Sequence, residues 1–159
     1  MPLYEFSHTV PLSPQQQDSL AEAITKLHTT FFTAPALFVN VRFVSADVYK
    51  GYVGGKRRQS NILTARVRTS PARKREMFDE LCLKVAEVWK NIVPEDPDLR
   101  IFILGGIIAG LEHDFLIPEA GKDKEWLKDN LPAFKKKADE GVVEFQDLVA
   151  EIEARGMLN

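Results

Sequence analysis

Asn61-Ile62-Leu63-Thr64-Ala65-Arg66-Val67-Arg68-Thr69-Ser70-Pro71 is the stretch that decides the fold, because it repeats a pattern the chain has already used. Ile62 to Arg68 alternates as a half-buried strand does, and Thr69-Ser70-Pro71 reads as a helix start. The opening of the chain has the same order. Pro2 to Ser7 is short, aromatic and closed by Thr9-Val10-Pro11; Ser13-Pro14-Gln15-Gln16 then offers an N-cap, a proline at the first helical position and a glutamine placed to close a capping box. Ser70 lies 57 positions after Ser13, and at that offset Met77 and Leu81 fall on Leu20 and Ile24.

Each helix start is followed by an apolar stripe and then a strand. Leu20, Ile24, Leu27 and Phe31 recur at helical spacing, with His28 on the edge of their stripe, and Phe78, Leu81, Val85 and Trp89 form a second one. Leu37 to Val44 alternates Leu37, Val39, Val41 and Phe43 against Asn40 and Arg42, and Arg100 to Leu104 matches it. The chain thus reads β-α-β twice. Right-handed crossovers make this an α/β (α+β) layer, one four-stranded sheet with two helices on one face. Leu37, Val39, Ile101 and Ile103 are too apolar for water on either side, so the bare face calls for oligomerisation. In the tail, Lys122 to Asn130 reads as a short helix stopped near Pro132. Val142, Phe145, Leu148, Val149 and Ile152 form an amphipathic stripe ending at Gly156, wrapped on the sheet or on a neighbour.

Composition bounds the function. With 159 residues, 45% apolar and 28% charged, the chain fills one globular domain. A net charge of −2 gives no global attraction to nucleic acid or to an anionic membrane. Lys56-Arg57-Arg58 reads as a solvated loop tip, and Gly51, Gly54 and Gly55 do not spell a phosphate loop. A single cysteine, Cys82, excludes an internal disulfide and reads as a buried thiol between Leu81 and Leu83. The three histidines, His8, His28 and His113, lack metal-ligand spacing, so neither a metal nor an organic cofactor is implied. Nowhere do eighteen apolar residues run together, which reads as a soluble, cytoplasmic protein.

Pro2 has two readings, a mark of where Met1 is trimmed and a chemical group. Removal of Met1 would leave it as a secondary amine, and an α-amino group titrates at roughly 7.7–8.0. Burial on a strand beside cations pushes that value down, which makes a base near neutral pH. A retained Met1 would instead make the nitrogen a tertiary amide unable to accept a proton.

An amino-terminal proline on strand one, the doubled β-α-β unit, a glycine-containing loop between the halves and Gly105-Gly106-Ile107-Ile108-Ala109-Gly110-Leu111-Glu112 after the last strand together resemble the tautomerase superfamily. Ala23-Ile24-Thr25-Lys26-Leu27-His28 is similar to a stretch of its cis-3-chloroacrylic acid dehalogenase group. The resemblance implies a macrophage-migration-factor-like β-α-β-β-α-β subunit over residues 1–120, assembled as a homotrimer, with residues 121–159 as a helical extension. It implies Pro2 as the catalytic residue, His28 as a contact to a substrate carboxylate or a water, and Glu112 as a water-activating carboxylate, with Asp114 as its rival. Arg68 and Arg73 are implied as the pair that grips a small carboxylate substrate, Arg66 and Arg75 being the alternatives. Leu104 stands where the dehalogenases carry a tyrosine, which tilts the reading toward keto-enol proton transfer and away from hydration or dehalogenation. A non-catalytic trimeric binding protein of the same fold is the third alternative.

Overall fold

The computed structural model describes residues 2–48 and 50–159. The expected removal of Met1 falls outside the described residues.

Four strands build the sheet: β1 (Leu3–His8), β2 (Asn40–Ser45), β5 (Ile62–Arg66) and β6 (Arg100–Leu104), in the order β2-β1-β5-β6. The outer pairs are parallel and the central β1–β5 pair antiparallel, so two β-α-β units meet along β1 and β5, with Tyr4 opposite Ala65 and Phe6 opposite Leu63. Two short hairpins lie outside it. β3 (Tyr52–Val53) and β4 (Lys56–Arg57) turn through Gly54 and Gly55, and β7 (Leu111–Glu112) and β8 (Phe115–Leu116) turn through His113 and Asp114. His113 and Asp114 hold φ of 51° and 70°, the left-handed pair that a two-residue hairpin demands.

Helix α1 (Pro14–Phe32) begins as its sequence dictates. Ser13 accepts from the Gln16 amide, the Gln16 side chain accepts from the Ser13 amide, and Pro14 occupies the first turn. Its buried line is Leu20, Ile24, His28 and Phe32, with Leu27 and Phe31 only partly covered. His28 is therefore inside the stripe and not on its edge. Helix α2 (Arg75–Ile92) buries Leu81, Val85 and Trp89. It starts four residues later than Ser70-Pro71 suggests: Arg73 N–H donates to Ser70 C=O at 3.0 Å, closing a separate turn, and Lys74 takes the N-cap place without a side-chain bond.

The second strand is also shorter than its alternation suggests. Residues Ala36–Phe38 form a 3₁₀ turn behind Pro35, locked by Val39 N–H to Ala36 C=O at 2.9 Å, and Phe38 leaves the sheet altogether. On the helix side, Tyr4, Phe6, Leu63 and Ala65 meet Leu20, Ile24, Leu81, Val85 and Trp89, with Val41, Phe43, Ile101 and Ile103 closing the margins. Ile101 and Ile103 thus face the helices, and the apolar excess on the bare face comes instead from Phe102 and Leu104, 52% and 46% exposed. Around them that face is polar, with Arg42 paired to Glu5 across β1 and β2.

The tail builds a second core. Helix α3 (Asp123–Asp139) continues through Pro132, against the expected stop, because Leu127 and Phe134 are buried on either side of it and hold the turn that the proline weakens. Helix α4 (Val143–Ala154) adds Phe145, Leu148 and Ile152. Phe38, Phe115 and Trp126 complete an aromatic cluster, with Phe115 and Phe134 ring centres 4.8 Å apart. Arg155 donates to Thr29 C=O and Ala34 C=O at 3.0 and 3.3 Å and pairs with Glu151, whose carboxylate accepts from the Ala36 amide at 2.9 Å. The tail therefore packs within its own chain, on the β7–β8 hairpin and the end of α1. No described helix is long and apolar enough to cross a membrane.

Candidate active site

Parallel pairing puts the starts of β1 and β2 and the ends of β5 and β6 at one edge of the sheet, because Leu3 is in register with both Asn40 and Arg66, and Arg66 with Leu104. Pro2 is buried at this edge. Its carbonyl accepts the Asn40 amide at 3.1 Å, and the Asn40 side chain donates to Glu112 Oε1 at 3.1 Å. One residue thus ties the proline to the carboxylate of the β7–β8 hairpin.

Beneath the edge lies His28. Its Nδ1 and the Tyr4 hydroxyl share a buried 2.8 Å hydrogen bond, and its ring rests 4.8 Å from that of Phe32. Burial first, then the charges of Arg73 and Arg68, lower its pKa to about 3. Burial also pushes the Tyr4 phenol above its ordinary value. Both groups are neutral near pH 7, and a single proton lies between the Tyr4 oxygen and Nδ1.

Arg73 stands next to them. Its guanidinium carbon sits 4.4 Å over the Phe32 ring, and one terminal nitrogen donates to Arg68 C=O at 2.9 Å. Burial and the nearby Arg68 charge lower its pKa. The other guanidinium nitrogens have no protein partner among the described residues, so Arg73 keeps donors to offer a ligand. Arg68 is placed differently. It is 4% exposed, donates from one terminal nitrogen to Pro118 C=O and Glu119 C=O at 2.8 and 3.2 Å, and from the other to Asp123 at 2.7 Å.

The remaining candidates separate cleanly. Arg66 is exposed, and Arg75 points into solvent with Asp79 at 3.4 Å. Asp114 is almost fully exposed and faces Lys137 at 3.7 Å, whereas Glu112 is half-buried with its pKa raised by burial against the opposing pull of Asn40, His113 and Arg68. Leu104 ends β6 on the bare face, beside a cleft of about 570 Å³ along the β6 edge that Arg73, Thr69, Phe78 and Cys82 also line. Burial raises the Cys82 thiol, which keeps its proton there. Asn40 thus joins Pro2 to Glu112, and the charges of Arg73 and Arg68 bear on the buried His28; Leu104 shares the β6 cleft with Arg73, and the residues lining that cleft do not include Pro2, His28 or Glu112.

Three participants escaped the sequence reading. Tyr4 carried a signal in its inward place on β1, where a hydroxyl needs a partner, but nothing local named His28. Asn40 read only as the polar side of a strand. Asp123 lies 55 residues from Arg68, and no local pattern joins them.

The family model described as "Putative oxalocrotonate tautomerase enzyme", Tautomerase_3, matches residues 1–131. The chain belongs to this tautomerase family. Among solved structures, a member of the cis-3-chloroacrylic acid dehalogenase family, N1, aligns over 87% of this chain and 99% of its own with a TM-score of 0.73 at 19% identity. MIF2 of Leishmania major aligns over 74% of this chain and 97% of its own, with a TM-score of 0.56 at 14% identity. A fused 4-OT described as an asymmetric trimer aligns over 65% of this chain and 85% of its own, with a TM-score of 0.54 at 16% identity. At these identities the likeness is one of fold. No curated protein sequence gives a significant match. The tautomerase fold that the resemblance implies, and the four-stranded sheet that the doubled strand-helix pattern predicts, are the fold observed.

Proposed function

We propose that the protein is a cofactor-independent tautomerase that moves a proton on a small α-keto or unsaturated carboxylate. The observation that supports this is the Asn40 link between a buried Pro2 and a half-buried Glu112, with a buried, neutral His28 under the charge of an Arg73 that keeps unused donors. Arg73 binds the substrate carboxylate, with Arg68 behind it in the same wall. The free amine of Pro2 takes a proton from the enol oxygen, or from the carbon α to the carbonyl, and delivers it to a carbon of the same molecule, so the reaction is an isomerisation with nothing gained or lost. His28, uncharged, donates or accepts a hydrogen bond at the substrate without competing for the proton. Assembly as a homotrimer, with residues 121–159 as an extension of a 1–120 core, and a cytoplasmic location belong to the same reading; Phe102 and Leu104 on the bare face and the trimeric state of the fused 4-OT support the assembly.

A second reading has Pro2 protonated as general acid and Glu112 activating a water, giving a hydratase or dehalogenase. The raised pKa of Glu112 and its one-residue link to Pro2 favour it, and Leu104, where the dehalogenases carry a tyrosine, counts against it. Incubation with phenylenolpyruvate and with cis-3-chloroacrylate separates the two. Ketonisation without chloride release supports the first; chloride release without ketonisation reverses the order. Pro2→Ala must silence either activity, and a protein that binds carboxylates without turning any over is the binding module.

A further inference from the structure

We infer that Asp123 is a specificity-determining residue: it withdraws Arg68 from ligand binding and leaves Arg73 as the single arginine that receives the substrate carboxylate. The inference rests on the reading of this edge as a carboxylate site and deepens it.

A guanidinium grips a carboxylate by presenting two parallel N–H groups with the acceptor in its plane. Both terminal nitrogens of Arg68 are already committed, one to the main chain at Pro118 and Glu119, the other to Asp123 Oδ1. The Asp123 side chain is as buried as its partner, and its second oxygen has no hydrogen-bond partner among the described residues. The carboxylate is thus committed to Arg68 alone. A buried pair of this kind resists separation, because freeing either charge leaves the other desolvated and unpaired. To take the place of Asp123 on Arg68, a substrate carboxylate would have to displace a buried carboxylate at the start of α3. Arg73, one turn away, needs no displacement, since it is held by Phe32 beneath and by the Arg68 carbonyl while its remaining nitrogens stay open. The pair also cancels one positive charge at the edge, so the site suits a monocarboxylate over a dicarboxylate.

The test measures calorimetric binding of phenylpyruvate and, with phenylenolpyruvate, steady-state KM and kcat. Arg73→Gln should weaken binding at least tenfold. Arg68→Met alone strands a buried Asp123 and risks unfolding, so the informative variant is Arg68→Met with Asp123→Asn, which removes both charges together and should bind within threefold of the wild type. Asp123→Asn alone uncovers the Arg68 charge; KM should fall at least threefold, most at low salt, with kcat unchanged. A double variant that keeps its circular dichroism and melting temperature yet loses binding as fully as Arg73→Gln overturns the inference while leaving the carboxylate site intact. So does an Asp123→Asn enzyme that loses stability with KM unmoved. A folded wild type that binds no carboxylate overturns the site reading and this inference with it.

Discussion

Replacing His28 by glutamine should remove a specific part of the protein's acid sensitivity. In the unfolded chain an imidazole takes up a proton below about 6.5; in the folded chain burial and the facing charges of Arg73 and Arg68 delay that uptake until about 3. The unfolded state therefore binds the proton first as pH falls, so this contribution to stability is complete above about 6.5 and is lost toward 3, at roughly 1.4 kcal/mol per pH unit for one proton. Between pH 7.5 and pH 5.0 the loss is about 2 kcal/mol. Glutamine is neutral throughout and keeps an amide that can meet the Tyr4 hydroxyl, so His28→Gln should lose that much less than the wild type across the interval. The other groups whose pKa moves on folding, Glu112 among them, cancel in the comparison. Urea unfolding of both proteins at the two pH values gives the four free energies. Equal pH dependence in the two would refute the claim that His28 is held neutral by its surroundings.

Tyr4→Phe deletes the hydroxyl bonded to His28 Nδ1 and leaves a buried nitrogen without that partner; thermal scans should show a loss of about 1–3 kcal/mol, and an unchanged melting temperature would mean that Nδ1 is otherwise satisfied. Pro132→Ala restores an amide to the middle of α3 at an exposed position and should stabilise the protein by about 1–2 kcal/mol, part of the roughly 3 kcal/mol helix penalty being offset by the looser unfolded chain; destabilisation would mean that the proline is needed for the path of the helix. Light scattering at micromolar concentration should give three chains per particle, and Phe102→Glu with Leu104→Lys should break the particle down; a wild-type monomer would refute the assembly. Two preparations, one trimmed of Met1 and one carrying an added residue, compared by intact mass and turnover, should differ at least a hundredfold in rate with the same fold, and equal rates would remove Pro2 from the mechanism.

The parts of the fold that were legible in the sequence are those specified by neighbours in the chain. Ser13, Pro14 and Gln16 satisfy one another's backbone groups within one turn, so the start of α1 could be read directly. Ser70-Pro71 has the same letters, yet the chain there is turned by the Ser70–Arg73 bond, and the helix waits for Arg75. Leu37 continues an alternating pattern and still lies in a 3₁₀ turn, since Pro35 and the pull of Phe38 into the second core override the local preference. In the candidate site, Pro2, His28, Arg73 and Glu112 are the residues that the resemblance to the tautomerase superfamily implies. The Tyr4–His28 bond, the Asn40 bridge and the Arg68–Asp123 pair were not legible, because each is made by tertiary packing across 24, 72 and 55 residues.

In the β7–β8 hairpin, Glu112 stands directly across from Phe115, and the two belong to different worlds: the carboxylate hangs at the strand edge while the ring is wedged among Trp126, Phe134 and Phe145. A two-residue turn has almost no slack, so the aromatic packing of the tail acts as the set-screw for the acid group across the hairpin. Variation at Phe134 or Phe145 would shift the pose and acidity of Glu112 with every residue of the edge unchanged. A lineage that redrew only its carboxy-terminal helices would thereby hold a means of retuning chemistry encoded more than twenty residues upstream.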